Sequence, residues 1–203
     1  MKHTLKLFGK SIELDEKQME ELQKLLGIEP VKLSEVADGE AFTVAGREFI
    51  VLENRGGETV ALLKGFCKTS TEFGRSNCYE GSYVDDVCND FLAEISESVG
   101  SENIHEFELD LTSDDGLKDY GVIKRRAALL TTEMYRRYVG ILDKHMPEGW
   151  WWLATPHSTA KHDNDSWVKC VSPSGSILYD YGYDDVCGVR PFCIFDSSIF
   201  ASI

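Results

Sequence analysis

The sequence Trp-Trp-Trp-Leu-Ala-Thr-Pro occupies positions 150–156, and Gly-Val-Arg-Pro-Phe occupies positions 188–192. The tryptophan run predicts a strand whose successive rings lie on opposite faces of a sheet and bury a large apolar area. The second segment predicts the closing strand, in which Gly188 permits a close approach and Pro191 marks an edge or the end of a ladder. A polar loop and a short hairpin separate the two strands, and together these segments decide the fold.

Two residues of this region are predicted to be structural rather than functional. Trp151 lies in the middle of the tryptophan run, where its ring is expected to enter the core. Arg190 is expected to pair with a carboxylate inside the domain, because a guanidinium and a carboxylate form a bidentate contact that joins a strand to a loop.

The composition describes one globular domain with a small appendage. The 203 residues are 42% hydrophobic and 11% aromatic, and no apolar run approaches the ~20 residues that cross a bilayer. The net charge of −14 argues against nucleic acid as a partner, since phosphate binding needs clustered Lys and Arg. The N-terminus lacks an apolar signal core, which predicts a cytoplasmic or phage-associated protein without membrane attachment. Six cysteines without a Cys-x-x-Cys pair predict buried free thiols.

The spacing of apolar residues divides the chain into two parts. Residues 1–39 are expected to form an N-terminal strand and helix appendage with its connector, and residues 40–203 form the main domain. In the appendage, Asp15 and Gln18 have the spacing of a capping box before an amphipathic helix.

The main domain is predicted to be α+β. It begins with a strand meander, after which the polar, glycine-containing stretch at 65–82 predicts a loop. Apolar residues at steps of three and four predict a helix over 84–99. A second helix is expected after Thr131, whose hydroxyl can cap it.

Four segments follow one another in a recognisable order: ETVALL at 58–63, NDFL at 89–92, LLTTEMYRRY at 129–138 and the two C-terminal motifs quoted above. Their order resembles a family of uncharacterised domains common in gut Gram-positive bacteria and their phages, whose C-terminal motifs read WWLRSPG and GVRPAL. The resemblance covers residues 40–196. It implies a C-type-lectin-like mixed sheet with two helices, the core that formylglycine-generating enzymes and phage variable receptor proteins also share.

The resemblance does not carry an enzymatic activity to this chain. Formylglycine-generating enzymes work through a cysteine pair on the strand before their Gly-x-Arg motif, whereas residues 166–181 hold only Cys170. Ala154 and Thr155 stand where the family has Arg-Ser, which removes a cation from the strand end. The chain also lacks a Gly-x-Ser-x-Gly elbow and a phosphate-binding glycine loop. No catalytic residue and no cofactor are therefore predicted.

A ligand surface is predicted where a polar loop at 157–166 and a hairpin at 179–185 extend from the core strands. Loops on rigid scaffolds carry binding residues, and short polar side chains suit adaptable hydrogen bonding. The neighbouring tyrosines form a recognition patch if they are exposed near the loop, and belong to the core if they are buried. Oxygen ligands for calcium are present, but the EF-hand spacing is missing and no metal site is predicted. The predicted ligand-binding residues are His157, His162, Asp163, Asn164, Asp165, Tyr181 and Tyr183.

Several functions remain open at this point. The preferred one is a non-enzymatic module that binds a protein partner, or a glycan, through the 157–166 loop and the 179–185 hairpin. The second is a small acidic phage-encoded inhibitor that blocks a basic host protein through the acidic window at 85–120. The third is a phage or bacterial structural component that assembles through residues 1–30. A further alternative is an enzyme, which would need a deep pocket with perturbed titrating groups. The predicted contacts of the acidic face are Asp90, Glu94, Glu97 and Glu102.

Overall fold

The computed structural model describes residues 2–7, 10–25 and 30–203, and these residues form a mixed α+β protein made mostly of strands. The predicted fold class is confirmed, with two α-helices in the main domain. The strands are β1 (Lys2–Leu7), β2 (Lys10–Asp15), β3 (Val31–Lys32), β4 (Ala41–Val44), β5 (Arg47–Arg55), β6 (Glu58–Leu63), β7 (Lys68–Thr71), β8 (Ile104–His105), β9 (Phe107–Asp110), β10 (Val122–Arg125), β11 (Ala127–Leu129), β12 (Trp151–Pro156), β13 (Trp167–Val171), β14 (Ile177–Tyr181), β15 (Cys187–Val189), β16 (Pro191–Asp196) and β17 (Phe200–Ala201). The helices are α1 (Glu16–Leu25), α2 (Tyr83–Val99) and α3 (Thr132–Leu142), and short 3₁₀ turns lie at Leu33–Glu35, Ser101–Asn103 and Ala160–His162.

The N-terminal part consists of an antiparallel β1–β2 hairpin followed directly by α1. The predicted capping box is confirmed: Asp15 Oδ1 accepts from the Gln18 amide at 2.8 Å, and Gln18 Oε1 accepts from the Asp15 amide at 3.0 Å. These two bonds satisfy amides at the start of the helix that have no partner within it. That residues 1–39 act as a separate appendage stays a prediction.

A six-stranded sheet forms the first layer of the main domain, in the order β11-β16-β6-β5-β4 with β8 added beside β16. One of its faces packs on α2, where Phe49 meets Phe91 at 6.1 Å and Phe195 at 5.2 Å between ring centroids. The helix buries the apolar side that its three- and four-residue spacing predicted. None of the helices in the described ranges combines the length and the apolar character needed to cross a bilayer.

A five-stranded sheet forms the second layer, in the order β14-β13-β12-β15-β7. Its central strand, β12, is covered on both faces. Trp151 packs against Tyr135 of α3 and Trp152 against Phe73, each at 5.7 Å between ring centroids. Both tryptophans are fully buried, so the predicted core role of Trp151 and the alternation of the rings agree with the structure. This arrangement is compatible with the lectin-like core that the resemblance implies.

The loop predicted for 65–82 is wrong in part, because Lys68–Thr71 forms β7 at the edge of the five-stranded sheet. Its Lys-Thr-Ser-Thr side chains are mostly exposed, so the strand is held by backbone pairing with β15 and shows no apolar alternation. All six cysteines are free thiols, of which Cys67 and Cys78 are only partly buried and the other four are buried as predicted. Burial raises the pKa of Cys67 to about 11.

Arg190 is fully buried beside the tryptophan strand. Its Nε donates to Leu63 O at 2.7 Å, its Nη2 donates to His145 O at 3.1 Å, and its guanidinium carbon lies 5.2 Å from the centre of the Trp151 ring. The predicted partner carboxylate is wrong: two backbone carbonyls and an indole face occupy that place, and Nη1 has no partner among the described residues. Burial lowers the pKa of Arg190 to about 10, since the surroundings disfavour its charge.

We expect Arg190→Ala to lower the free energy of unfolding by about 3 kcal/mol, because it leaves two carbonyl oxygens unbonded and a cavity beside the Trp151 ring. Arg190→Met leaves the same two carbonyl oxygens unbonded but keeps most of the side-chain volume and removes the buried charge, so we expect a smaller loss of about 1.5 kcal/mol. Urea unfolding followed by tryptophan fluorescence measures both values. Equal stability of Arg190→Ala and the wild type would contradict this role.

Candidate functional site

Two paired strands place a row of aromatic side chains on one surface. In the antiparallel β13–β14 pair, Trp167 lies opposite Tyr181 and Lys169 lies opposite Tyr179, so alternate residues of both strands share a face. The Trp167 and Tyr179 rings stack with centroids 4.6 Å apart and planes 12° apart. The His157 ring stacks on the same tyrosine at 4.6 Å, so the start of the 157–166 loop joins the hairpin.

The stack continues to the end of the hairpin. Tyr181 meets Trp167 edge-on at 5.4 Å, and Tyr183 stacks on Tyr181 at 5.0 Å. Tyr179, Tyr181 and Tyr183 are 47%, 39% and 57% exposed, as a recognition patch near the loop requires. We call this row the aromatic ladder; its members are His157, Trp167, Tyr179, Tyr181 and Tyr183. Contiguous exposed aromatic surface is typical of interaction sites.

Contacts beneath the aromatic ladder hold it in place. Lys169 is only 7% exposed, and its Nζ lies 2.8 Å from Asp114 Oδ2 and 5.5 Å from the centre of the Tyr179 ring. Gly182, between the last two tyrosines, is buried, and its carbonyl accepts from the Phe73 amide at 2.7 Å. The rings are therefore ordered by the fold itself, which reduces the conformational entropy that they lose on binding.

A single buried amide anchors the 157–166 loop. Asn77 is fully buried, and its Nδ2 donates to the carbonyls of Ser158, Asn164 and Trp167 at 2.9 to 3.2 Å. Its Oδ1 accepts from Tyr120 Oη at 2.7 Å. Asn77 was not predicted, because a lone asparagine in a polar stretch gives no signal in the sequence when its partners are carbonyls of a distant loop.

The acidic turn at 113–119 binds the same loop from another side. Asp115 accepts hydrogen bonds from Ser113 Oγ and, at 2.7 Å, from Ser158 Oγ, and its Oδ2 lies 3.2 Å from His162 Nδ1. These bonds, that of Ser113 foremost, lower the pKa of Asp115 to about 2. His162, predicted to bind ligand, thus uses one ring nitrogen within the fold while its side chain is 57% exposed.

Asp119 makes the second contact between this turn and the loop. It accepts from Thr159 Oγ1 at 2.7 Å and forms an ion pair with Lys161. The short polar side chains that favoured an adaptable ligand surface are therefore largely occupied by internal bonds. Asp163 and Asp165 are exposed and remain turned to solvent.

The predicted ligand-binding residues do not all lie on one surface. His157, Tyr181 and Tyr183 lie together in the aromatic ladder, whereas Asn164 is partly buried and its Oδ1 accepts from the Trp167 amide at 3.3 Å. Five carboxylates next to the ladder along the chain form no ion pair within the described residues. We call them the acidic rim; they are Asp163, Asp165, Asp180, Asp184 and Asp185. No group of three or more His, Cys, Asp or Glu able to hold a metal ion occurs in residues 2–7, 10–25 and 30–203.

The predicted acidic face lies on α2 and the turn that follows it. Asp90, Glu94, Glu97 and Glu102 are all exposed. Glu94 is bound by the Arg47 guanidinium through three contacts of 2.7 to 3.0 Å, so it joins the helix to the six-stranded sheet. The other three carboxylates form no ion pair in the part of the chain that the structure describes.

The chain matches no protein-family model, no curated protein and no solved structure. The resemblance to uncharacterised bacterial and phage domains therefore stays a prediction. The fold and the surface show an α+β domain that presents an ordered aromatic ladder. The carboxylates of the acidic rim, which form no ion pair within the described residues, lie next to the ladder along the chain.

We expect Asp115→Asn to be less stable than the wild type at pH 6 by no more than ~1 kcal/mol, because solvent screens a partly exposed site. The difference should shrink as the pH falls from 3.8 towards about 2, the ordinary and folded-state pKa values of this carboxyl group. A carboxyl group with a depressed folded-state pKa stabilises the fold above its unfolded pKa, and that contribution is lost on protonation. Thermal unfolding between these pH values measures it, with Asp163→Asn as the control. A constant difference down to the lowest pH would contradict the assignment.

Proposed function

We propose that this protein is a non-enzymatic binding module that recognises a protein partner through the aromatic ladder and the adjoining 157–166 loop. The observation that carries the proposal is the exposure of Tyr179, Tyr181 and Tyr183 in one stacked row. Tyrosine offers a large contact area at a small entropy loss, and rings that are already packed lose less on binding. A single exposed aromatic is ordinary, whereas a continuous ordered row is typical of an interface.

The charges around the ladder favour a basic segment as the part of the partner that is bound. The carboxylates of the acidic rim are unpaired among the described residues, whereas the nearby cations Lys161 and Lys169 are already bound by Asp119 and Asp114. A Lys or Arg side chain lying over a tyrosine gains a cation–π contact and is attracted by the rim. A glycan, whose apolar faces also stack on aromatic rings, is the alternative ligand for this surface.

We place the module in the cytoplasm or on a phage particle. Six free cysteines support folding in a reducing compartment, since cysteine-rich exported proteins form disulfides. The partner is therefore to be sought first among cytoplasmic proteins.

The double variant Tyr181→Ser/Tyr183→Ser tests the ladder. The probes are immobilised short peptides graded in charge from basic to acidic, together with a glycan array. We expect the wild type to bind the basic peptides and the double variant to bind them ~tenfold or more weakly, because it loses two stacked rings. Its melting temperature should change little, since both side chains are exposed.

Leu178→Ser is the matched control. Leu178 is 43% exposed and pairs with Cys170, so it lies on the face of the β13–β14 pair opposite to Tyr179 and Tyr181. Its replacement should therefore leave peptide binding unchanged. Asp163→Asn/Asp165→Asn should weaken binding by a smaller factor that vanishes at high salt. Unchanged peptide binding by the tyrosine variant would exclude the ladder as the binding surface. A preference for acidic peptides would exclude a basic partner. Binding to sugars alone would establish the glycan alternative.

A second function is favoured by exposed carboxylates of α2 and of the turn that follows it, which form no ion pair within the described residues. A small acidic phage-encoded inhibitor would present Asp90, Glu97 and Glu102 to a basic surface of a host protein. We expect Asp90→Lys/Glu97→Lys/Glu102→Lys to abolish binding to immobilised poly-lysine at low salt, with Glu94 left intact because it is bound to Arg47. Binding that survives this change, or that persists at high salt, would exclude the acidic face as the interface.

A further inference from the structure

A cleft of about 430 Å³ opens at the N-terminal end of α3, beside the strands β9 and β16. This volume is that of a site for a small molecule, and no residue of the aromatic ladder lines it. The cleft combines a polar floor with an apolar wall, which is the composition expected of a pocket that orients an amphipathic ligand.

The floor of the cleft carries hydrogen-bond donors that the fold leaves unused. Thr132, the first residue of α3, lines the cleft and is 3% exposed, and its hydroxyl has no partner among the described residues. The adjacent amides are occupied: that of Thr132 donates to Thr155 Oγ1 at 2.9 Å, and that of Met134 donates to Thr131 Oγ1 at 3.2 Å. The Glu133 amide between them has no acceptor in the described part of the chain. A hydroxyl and an amide without partners within the described residues thus belong to neighbouring positions in the first turn of α3, at the positive end of the helix.

One wall of the cleft is apolar, and three arginines also line it: Arg55, Arg136 and Arg137. The Phe107 and Phe192 rings stack at 4.5 Å and line the cleft together with Ile194. Arg136 also lines it, is 64% exposed and has its nearest carboxylate, Asp114, at 3.6 Å. A guanidinium with so loose a partner remains available to an anion.

Four carboxylates line the cleft: Glu108, Asp110, Asp114 and Glu133. Glu133 pairs with Arg137 at 3.4 Å, whereas Glu108 forms no ion pair within the described residues. Asp110 accepts from the amide and the hydroxyl of Thr112, which lowers its pKa. Asp114 lies 2.8 Å from Lys169 Nζ. The Glu133 side chain is 83% exposed, which leaves the helix end itself free of a bound carboxylate.

We propose that this cleft binds the carboxylate end of an apolar acid. The carboxylate accepts from the Glu133 amide and the Thr132 hydroxyl, in the field of the helix end and of Arg136. The apolar body packs against the Phe107 and Phe192 rings. A free monocarboxylic acid and a peptide with an apolar C-terminal residue share this chemistry. The site goes beyond the proposed function and does not depend on it.

In the test, the 203-residue chain is titrated with 3-phenylpropionate and 3-phenylpropionamide, and with a short peptide ending in phenylalanine as the free acid and as the amide. Two-dimensional amide NMR and calorimetry follow binding. We expect an acid to shift the backbone N–H resonance of Glu133. The carboxamide form of the same ligand should bind ~tenfold or more weakly, because the carboxamide lacks the negative charge that the helix end attracts. Thr132→Val should weaken acid binding similarly, whereas Thr132→Ser keeps the hydroxyl and should retain it.

Tyr181→Ser/Tyr183→Ser is the matched control and should leave acid binding unchanged, which separates this site from the aromatic ladder. Binding of 3-phenylpropionate identifies a free acid as a source, and binding of the free-acid peptide identifies a chain terminus; either result supports the site. Equal affinity for acids and amides overturns the proposal, as does undiminished binding by Thr132→Val or the failure of both acids to bind. The wild-type shift of the Glu133 amide keeps the test decisive even if a Thr132 variant unfolds.

Discussion

The burial of β12 on both faces is the constraint on which the rest of the structure depends. Trp151 and Trp152 point to opposite sides of one strand, and neither ring reaches solvent. The strand must therefore lie inside its sheet, with β13 and β14 on one side and β15 and β7 on the other. Arg190 follows from the same constraint, because the closed space beside Trp151 leaves its guanidinium two backbone carbonyls and an indole face instead of a carboxylate.

Exposure increases outward from this buried strand. Every residue of β12 is buried, β13 is buried except at Trp167, and β14 at the sheet edge exposes most of its side chains. The aromatic ladder lies at this edge, where rings can be ordered by the sheet on one side and free on the other. This edge strand combines exposed aromatic side chains with backbone groups that pair with no further strand of the sheet within the described residues.

The parts of this structure that were predictable are those with local causes. The capping box at Asp15 and the cap at Thr131 need only contacts within one helical turn, and the apolar spacing of α2 repeats within its own length. The strand β7 was missed because an exposed edge strand held by backbone bonds has no apolar alternation. The anchoring role of Asn77 was not predicted, because one of its partners, Trp167, lies 90 residues further along the chain.

By itself the sequence determined the α+β class, the two helices of the main domain and a tryptophan strand in its core, because periodicity, caps and large apolar side chains act over short distances. Only the tertiary structure decided which polar groups of the 157–166 loop are used internally and that His157 stacks on Tyr179. Only the tertiary structure shows that the Thr132 hydroxyl has no partner within the described residues and that Thr132 lines a cleft. A polar side chain forms an internal hydrogen bond only if a partner lies within bonding distance, and otherwise it stays available to a ligand. The distances to partners far along the chain are set when the sheets pack.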